Sequence, residues 1–326
     1  MDRSMIPAPG GGIVPQSPPV AVKRLHRVLV GASSLLPRLP EPVLHRLLLR
    51  GQRSTRPPTQ IAQGIPIVED SHDGVPTTWL APELGKEGAV VFLHGGAYQA
   101  GPGDAQWAWL AEIQRRTGMA AAMILYRMPP THPFPAALDD AVASLRAMCR
   151  DGRLTNGRWI LGGDSAGGGL ALAAAQVLRD GGDPLPAGLL LTAPWVDIEM
   201  EHPDVLADQR QMFVNGRAVL RWSAERYANG VPLADPRLSP INGAMKDLPP
   251  VHVNVGTNDP FLADIRRLRR ALEAAGVPAT SIEQEGGAHT YPQQIATPEA
   301  EWTIRSQARW IRDRIGTAAS TSEVAG

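Results

Sequence analysis

Short apolar runs of strand length recur along most of this chain, with helix-like stretches between them. The runs are Ala89–Leu93, Ala120–Tyr126, Trp159–Leu161, Gly188–Leu191, Val251–Val255 and Thr280–Glu283. Runs this apolar, with little alternation, predict strands covered on both faces. Helices are predicted at Pro135–Arg150, Gly167–Arg179, Leu262–Ala275 and Pro298–Ile315. The last begins with Thr297 placed to cap it and Pro298 suited to a first helical position. Upstream, Ile65–Glu69 and Val75–Leu80 flank Asp73-Gly74, a hairpin signal. A hairpin followed by alternating strands and helices defines the α/β class: a mostly parallel, twisted sheet of about eight strands, helices on both faces.

One interval breaks the rhythm. About sixty residues separate Leu191 from Val251, where a minimal crossover needs ~10–12. Within it Asn215–Tyr227 is amphipathic, with Val219, Leu220, Trp222 and Tyr227 as its apolar positions. It reads as an insertion over the C-terminal edge of the sheet, where ligands bind in open α/β folds. A decorative insertion is the plainer alternative. Residues 21–50 read as two short helices split by Pro37-Arg-Leu-Pro40, and residues 1–20, rich in Pro and Gly, as a disordered tail.

At 326 residues, 43% hydrophobic and 20% charged, the chain can bury a sizeable core, as one large domain or a domain with a lid. Lys+Arg and Asp+Glu are equal at 32 each, so no global field points to nucleic acid. Locally the balance is uneven. Residues 1–56 hold nine basic residues, Lys23, Arg24 and Arg27 among them, against Asp2 and Glu41, a net of +7. With Val22, Leu25, Leu29, Val43 and Leu47 at near-helical spacing, this stretch reads as lid helices with a solvated basic face. Weak contact of residues 21–56 with an anionic membrane surface is the sharper alternative.

A single cysteine, Cys149, excludes an intrachain disulfide framework and fits a reducing compartment. No run of ~18 apolar residues predicts a spanning helix. Val28–Leu36 sits late and is interrupted, unlike a secretory leader, so a cytoplasmic location is expected. A homodimer is compatible with the sequence. No His or Cys spacing suggests a metal, and Gly162–Gly169 lacks the Lys-Ser/Thr ending of a phosphate loop, so no cofactor is expected.

Gly162-Gly163-Asp164-Ser165-Ala166-Gly167-Gly168 carries the chemistry. It joins a strand to a helix and places a serine at G-x-S-x-G spacing, the pattern of a nucleophile elbow. A turn that tight leaves no room for side chains at Gly163 and Gly167, and it pushes the Ser165 hydroxyl outward. A glycine-rich turn capped by Ser or Asp produces the same letters, so position must decide. A serine hydroxyl needs a base within hydrogen-bond reach, itself oriented by a third group. Thr257-Asn-Asp259-Pro follows the strand Val251–Val255, which makes Asp259 the chosen acid and Asp264, five residues on, its competitor. Gly286-Gly-Ala-His289 follows the next strand, which places His289 where the base must be. Backbone N–H groups must also await the oxyanion of a tetrahedral intermediate. His94-Gly95-Gly96-Ala97-Tyr98, after the strand Ala89–Leu93, supplies such a loop beside the N–H of Ala166.

Together these motifs resemble the hormone-sensitive-lipase-like group of α/β-hydrolases, bacterial esterases with an HGG(G/A) loop and a GDSAGG elbow. The likeness runs from about Gly88 to Arg312 and takes in Tyr126-Arg127 and His132-Pro-Phe-Pro-Ala-Ala-Leu-Asp-Asp140. It also takes in Ala193-Pro-Trp-Val-Asp197, Asp235-Pro-Arg-Leu-Ser-Pro240 and Asp259-Pro-Phe-Leu-Ala-Asp264. The resemblance implies the α/β-hydrolase fold with Ser165 as nucleophile, Asp259 as acid and His289 as base. It implies an oxyanion hole from Gly95, Gly96, Ala97 and Ala166, with Tyr98, Asp164 and Trp195 expected at the substrate. It divides the chain into cap helices at 21–56, a core at 57–197 and 235–316, a cap insertion at 198–234 and a tail at 317–326.

Three departures touch pocket shape rather than the reaction. Thr131 stands where the family has Glu, Ala97 replaces a third Gly, and Thr290-Tyr291 follows His289. The expected activity is hydrolysis of small to medium acyl esters through an acyl-enzyme. The alternatives are a lactone or N-acetyl amide hydrolase using the same triad, and a non-catalytic ligand-binding receptor. The last is disfavoured because all three triad residues are present.

Overall fold

The structure, a computed structural model, describes residues 5–7, 13–15, 38–52, 55–207, 214–293 and 296–324. Two short strands, β1 (Met5–Pro7) and β2 (Ile13–Pro15), pair antiparallel within the stretch expected as a tail. The other strands are β3 (Ile67–His72), β4 (Val75–Leu80), β5 (Ala89–Leu93), β6 (Ala120–Ile124), β7 (Trp159–Asp164), β8 (Gly188–Thr192), β9 (Val251–Gly256) and β10 (Ala279–Gln284). They form one sheet in the order β10-β9-β8-β7-β5-β6-β4-β3. The β3–β4 hairpin turns at Asp73-Gly74, both with positive φ, and joins β6 antiparallel; the remaining pairs are parallel.

Alternate side chains of the central strands feed two cores, one on each face. Val91 and Leu93 of β5, Leu161 of β7 and Leu189 and Leu191 of β8 share one core with α3 (Ala136–Arg150), α4 (Ser165–Asp180) and α7 (Leu262–Ala274). Val90 and Phe92, Ile160, and Leu190 face the other, against α2 (Asp104–Thr117) and α8 (Pro298–Val324). Burial on both faces is why these strands read as unbroken apolar runs.

Helix α2 is absent from the pattern-based expectation. Its buried side is broad, taking Trp107, Trp109, Leu110, Ala111, Ile113 and Gln114, so its apolar residues miss a clean helical period. Its ends are nonetheless marked by Gly103 and by Gly118, which closes the helix at φ 68°. Trp109 Nε1 donates to Gln307 Oε1 at 2.9 Å, fastening α2 to α8. Thr297 caps α8 as expected, its Oγ1 accepting the Ala300 N–H at 3.2 Å, and the helix continues to Val324, into the segment 317–326.

Residues 38–52 contain α1 (Glu41–Gly51), the second of the two expected N-terminal helices. The first, with the basic stretch around Lys23, Arg24 and Arg27, lies outside the described residues. The insertion contributes α5 (Pro203–Ala207) and α6 (Val214–Ala228). Its return to the core is closed by Ser239, whose Oγ accepts the Ile198 N–H at 2.9 Å and donates to Leu233 O at 2.7 Å. This gives the Asp235–Pro240 motif a physical role, that of clasping the base of the insertion. No helix among the described residues is long and apolar enough to cross a membrane.

The chain steps from β5 to β6 on one side and then crosses to β7 on the other, so β5 marks the point where strand order reverses. Open α/β sheets bind ligands beyond the C-terminal ends of strands at such a point. Register brings Leu93 opposite Gly163, Asp164 opposite Thr192, Thr192 opposite Asn254 and Gly256 opposite Gln284. The loops that follow these strands therefore share one edge.

Candidate active site

Ser165 sits at the first position of α4, directly after β7, with φ at 51°. A non-glycine residue in the left-handed region is strained, and such strain concentrates at functional sites. Packing enforces it here. A Cβ at Gly163 would overlap the Gly167 carbonyl, and one at Gly167 would overlap the carbonyls of Leu93 and His94. Gly163 is therefore required by close backbone approach within the elbow, and Gly167 by close approach of the elbow to the end of β5. The turn leaves Ser165 Oγ 3.0 Å from His289 Nε2.

His289 lies in the loop after β10, and its Nδ1 is 2.8 Å from Asp259 Oδ2. A carboxylate only accepts, so Nδ1 carries the proton and Nε2 is left to accept from the serine hydroxyl. Asp259, in the loop after β9, is fully buried, and its second oxygen accepts the Phe261 N–H at 2.9 Å. Phe261 meets the His289 ring edge-on at 5.2 Å and stacks on Trp195 at 5.7 Å. Burial works against protonation of His289, but the Asp259 charge and hydrogen bond, with Asp164 farther off, outweigh it and raise its pKa above 6.5. Tyr291, two residues on, bonds Thr303 of α8 through its hydroxyl at 2.9 Å and anchors the loop.

Asp264 takes a different place. It is buried in the first turn of α7 and bonds Arg267 at 2.5 Å, and the same guanidinium reaches Asp197 at 2.9 Å. Burial, then the Asp197 charge, push its pKa up to about 7 against the pull of Arg267.

The loop after β5 turns tightly. Gly96, Ala97 and Tyr98 have φ of 125°, 53° and 58°, and the N–H groups of Gln99 and Ala100 close back on Gly96 O at 2.9 and 3.1 Å. Gly96 is exposed and Ala97 partly so, in a loop that leaves the same sheet edge as the elbow. Gly95 differs from them: its N–H donates to Asp164 Oδ1 at 2.7 Å, pointing into the protein. Asp164 also accepts from Gln106 Nε2 at 3.2 Å, while Gln106 Oε1 accepts the Gly103 N–H at 2.6 Å. Burial raises the Asp164 pKa, opposed by the Gly95 and Gln106 hydrogen bonds. Below the loop, His94 stacks on Tyr126 at 4.4 Å, and burial lowers its pKa to about 4, so it is a neutral strut.

Tyr98, Asp164 and Trp195, expected at the substrate, are 2%, 2% and 0% exposed, which places them within the walls of the site. The Tyr98 hydroxyl donates to Ala166 O at 3.0 Å, and the Trp195 N–H donates to Ser165 O at 2.8 Å, so both brace the elbow. Thr131 is exposed; its loop is tied instead by Asp140, which accepts the Arg127 N–H at 2.8 Å and its guanidinium at 2.7 Å. Sequence reading passes over Gln106 and gives no contact to Phe261 or Tyr291, whose partners here lie across loops and helices. The His-Gly-Gly and Gly-Asp-Ser spacings could have pointed to a partner for a buried Asp164, though not to Gln106 by number. Among the described residues, no group of three or more His, Cys, Asp or Glu is arranged to hold a metal ion.

Residues 90–293 match the alpha/beta hydrolase fold family. The chain is 35% identical over 239 residues to an acetyl-hydrolase of Streptomyces hygroscopicus, spanning 73% of this chain and 80% of that one. It is 32% identical over 250 residues to the putative acetyl-hydrolase LipR of Mycobacterium tuberculosis, spanning 74% and 79%. A solved esterase from the bacterial hormone-sensitive lipase family superposes with a TM-score of 0.76 at 30% identity, covering 90% of this chain and 98% of that one. The chain belongs to the α/β-hydrolase fold family, in its hormone-sensitive-lipase-like group of esterases.

Proposed function

We propose that the chain is a serine carboxylesterase that hydrolyses small to medium acyl esters through an acyl-enzyme. The observation that carries this reading is the relay from Ser165 Oγ to His289 Nε2 at 3.0 Å and from His289 Nδ1 to Asp259 at 2.8 Å. In the proposed reaction Ser165 Oγ attacks the ester carbonyl while His289 Nε2 takes its proton. The tetrahedral oxyanion is received by the N–H groups of Gly96, Ala97 and Ala166. Gly95 shapes the loop rather than donating, because its N–H is committed to Asp164. Collapse expels the alkoxide, which leaves as an alcohol with the proton from Nε2. Water, deprotonated by the same nitrogen, then releases the acid and restores Ser165. Asp259 holds the imidazole in the required tautomer and stabilises its charged form.

The two acetyl-hydrolase relatives support a short acyl group. A cytoplasmic location belongs to the same reading and is supported by the single thiol, Cys149, which burial keeps protonated by raising its pKa. The test is a panel of p-nitrophenyl esters from acetate to palmitate, with lactones and acetanilides beside them. Turnover is expected on the short and medium esters, with Ser165 labelled by a fluorophosphonate. Good lactone or amide turnover without ester hydrolysis would overturn the substrate class. An unlabelled Ser165, under conditions that label a control esterase, would overturn the enzyme reading.

A further inference from the structure

Ala97 and Tyr98 are consecutive non-glycine residues in the left-handed region, at φ 53° and 58°. An isolated loop of this shape would relax, because L residues disfavour that conformation. Such backbone persists where its surroundings over-determine it. Asp164 and Gln106 grip the two ends of the loop from the core side, at Gly95 and Gly103. The middle is gripped from elsewhere. The Tyr98 ring lies flat on Tyr227 of α6, with centroids 3.7 Å apart and planes 6° from parallel. Gln99 Nε2 donates to Ser223 O of the same helix at 3.4 Å. From the other side, Gln52, just past α1, donates through Nε2 to Gln99 O at 2.9 Å and to Pro129 O at 2.7 Å. The Gly101 N–H donates to Gly51 O at 2.9 Å. Two elements far apart in sequence thus close on one strained turn.

We propose that α1 and α6 set the shape of the oxyanion loop, with Tyr227 and Gln52 as positioning residues for the hole. The proposal rests on the esterase reading above. It assigns to these two helices a share in turnover, beyond shielding or shaping the pocket. Tyr227 acts through its ring face: its hydroxyl is buried and makes no hydrogen bond. Gln52 acts through the two carbonyls it draws together.

The experiment compares Tyr227→Leu, Tyr227→Phe and Gln52→Met in the full chain, using p-nitrophenyl acetate and a trifluoromethyl ketone that forms a hemiketal oxyanion on the serine. Tyr227→Leu is expected to lower kcat about 10–100-fold with KM changed less than about 3-fold, because a small misplacement of oxyanion donors is felt in the transition state. Affinity for the ketone should fall by the same factor. Tyr227→Phe should restore both, and Gln52→Met should lower kcat about 5-fold, as expected for loss of hydrogen bonds that position a loop. A fall in melting temperature with unchanged kcat and ketone affinity in the folded variants would overturn the proposal. If Tyr227→Leu does not fold, Gln52→Met decides alone, and unchanged kcat and ketone affinity there overturn it. Failure of the esterase reading is seen separately, as a wild-type chain that neither turns over the acetate nor binds the ketone.

Discussion

The Ser165, His289 and Asp259 side of the site is hung on strand ends, whereas the Gly95–Tyr98 loop, the proposed oxyanion loop, is held by side chains. Ser165, Asp259 and His289 each follow a strand of one sheet, and their relative positions are set by backbone register and two obligatory glycines. The loop of Gly95 to Tyr98 has its root on β5 but takes its shape from Asp164, Gln106, Tyr98, Gln52 and Tyr227. Backbone register is stiff, and a change on one strand end leaves the others in place. A loop held by several side chains is a shared equilibrium, and each contact removed shifts the same donors. Mutations on the first side should act as single, large losses of chemistry. Those on the second should be graded and partly overlapping.

The largest effect expected is Asp259→Asn, which should lower kcat ~10⁴-fold by leaving His289 in the wrong tautomer. Steady-state kinetics of this variant beside Asp264→Asn checks it, since loss of turnover in the latter instead would exchange their roles. Asp164→Ala comes next, with kcat lowered ~10²-fold and labelling of Ser165 slowed, because the Gly95 N–H loses its acceptor and the donors beyond it drift. If Asp164→Ala left kcat intact, the loop would not depend on its side-chain anchors and the contrast between the two sides would collapse.

A smaller effect concerns pH. On the proposed mechanism the base is the neutral imidazole, so kcat/KM should fall as pH drops through the His289 pKa, with the midpoint of the acid limb above 6.5. A midpoint below that value would mean that burial, not Asp259, dominates at the ring. The smallest effect is on stability. Asp264 titrates near 7 in the fold and ~3.9 when unfolded. Its proton is therefore held more tightly by the folded chain, and stability falls as pH rises between those values. Asp264→Asn should flatten that part of the curve of melting temperature against pH while leaving turnover near wild type. An unchanged curve would show that Arg267 offsets both burial and the Asp197 charge at this carboxyl.

What the sequence made legible follows the same division. Ser165, Asp259 and His289, which the structure brings within hydrogen-bond reach of one another, are legible because each is a polar residue following an apolar strand, a local pattern that survives in one dimension. The same holds for the β3–β4 hairpin at Asp73-Gly74 and for the cap of α8 at Thr297. Helix α2 was missed because its buried side is too broad to leave a period, although two parallel strands joined in sequence require a crossover between them. A motif lists residues without saying which way they face, so it names Gly95 among the oxyanion donors and Tyr98, Asp164 and Trp195 at the substrate without distinguishing their surroundings. Only the fold shows that the Gly95 N–H turns to Asp164 and that the other three lie within the walls. Tyr227 registered only as one apolar position of an amphipathic helix. Its stacking partner is more than a hundred residues away, beyond any local signal.

Ser165 and His289 are 124 residues apart in the chain yet meet at 3.0 Å. During synthesis the elbow leaves the ribosome well before the segment that carries His289. Throughout that interval Ser165 has no imidazole beside it and is an ordinary alcohol. On the proposed mechanism the serine gains its base once β10 is paired in the sheet and the loop anchored by Tyr291 is in place against α8. The order of the residues would then act as a timer, keeping the proposed nucleophile inert until the fold around it is nearly complete.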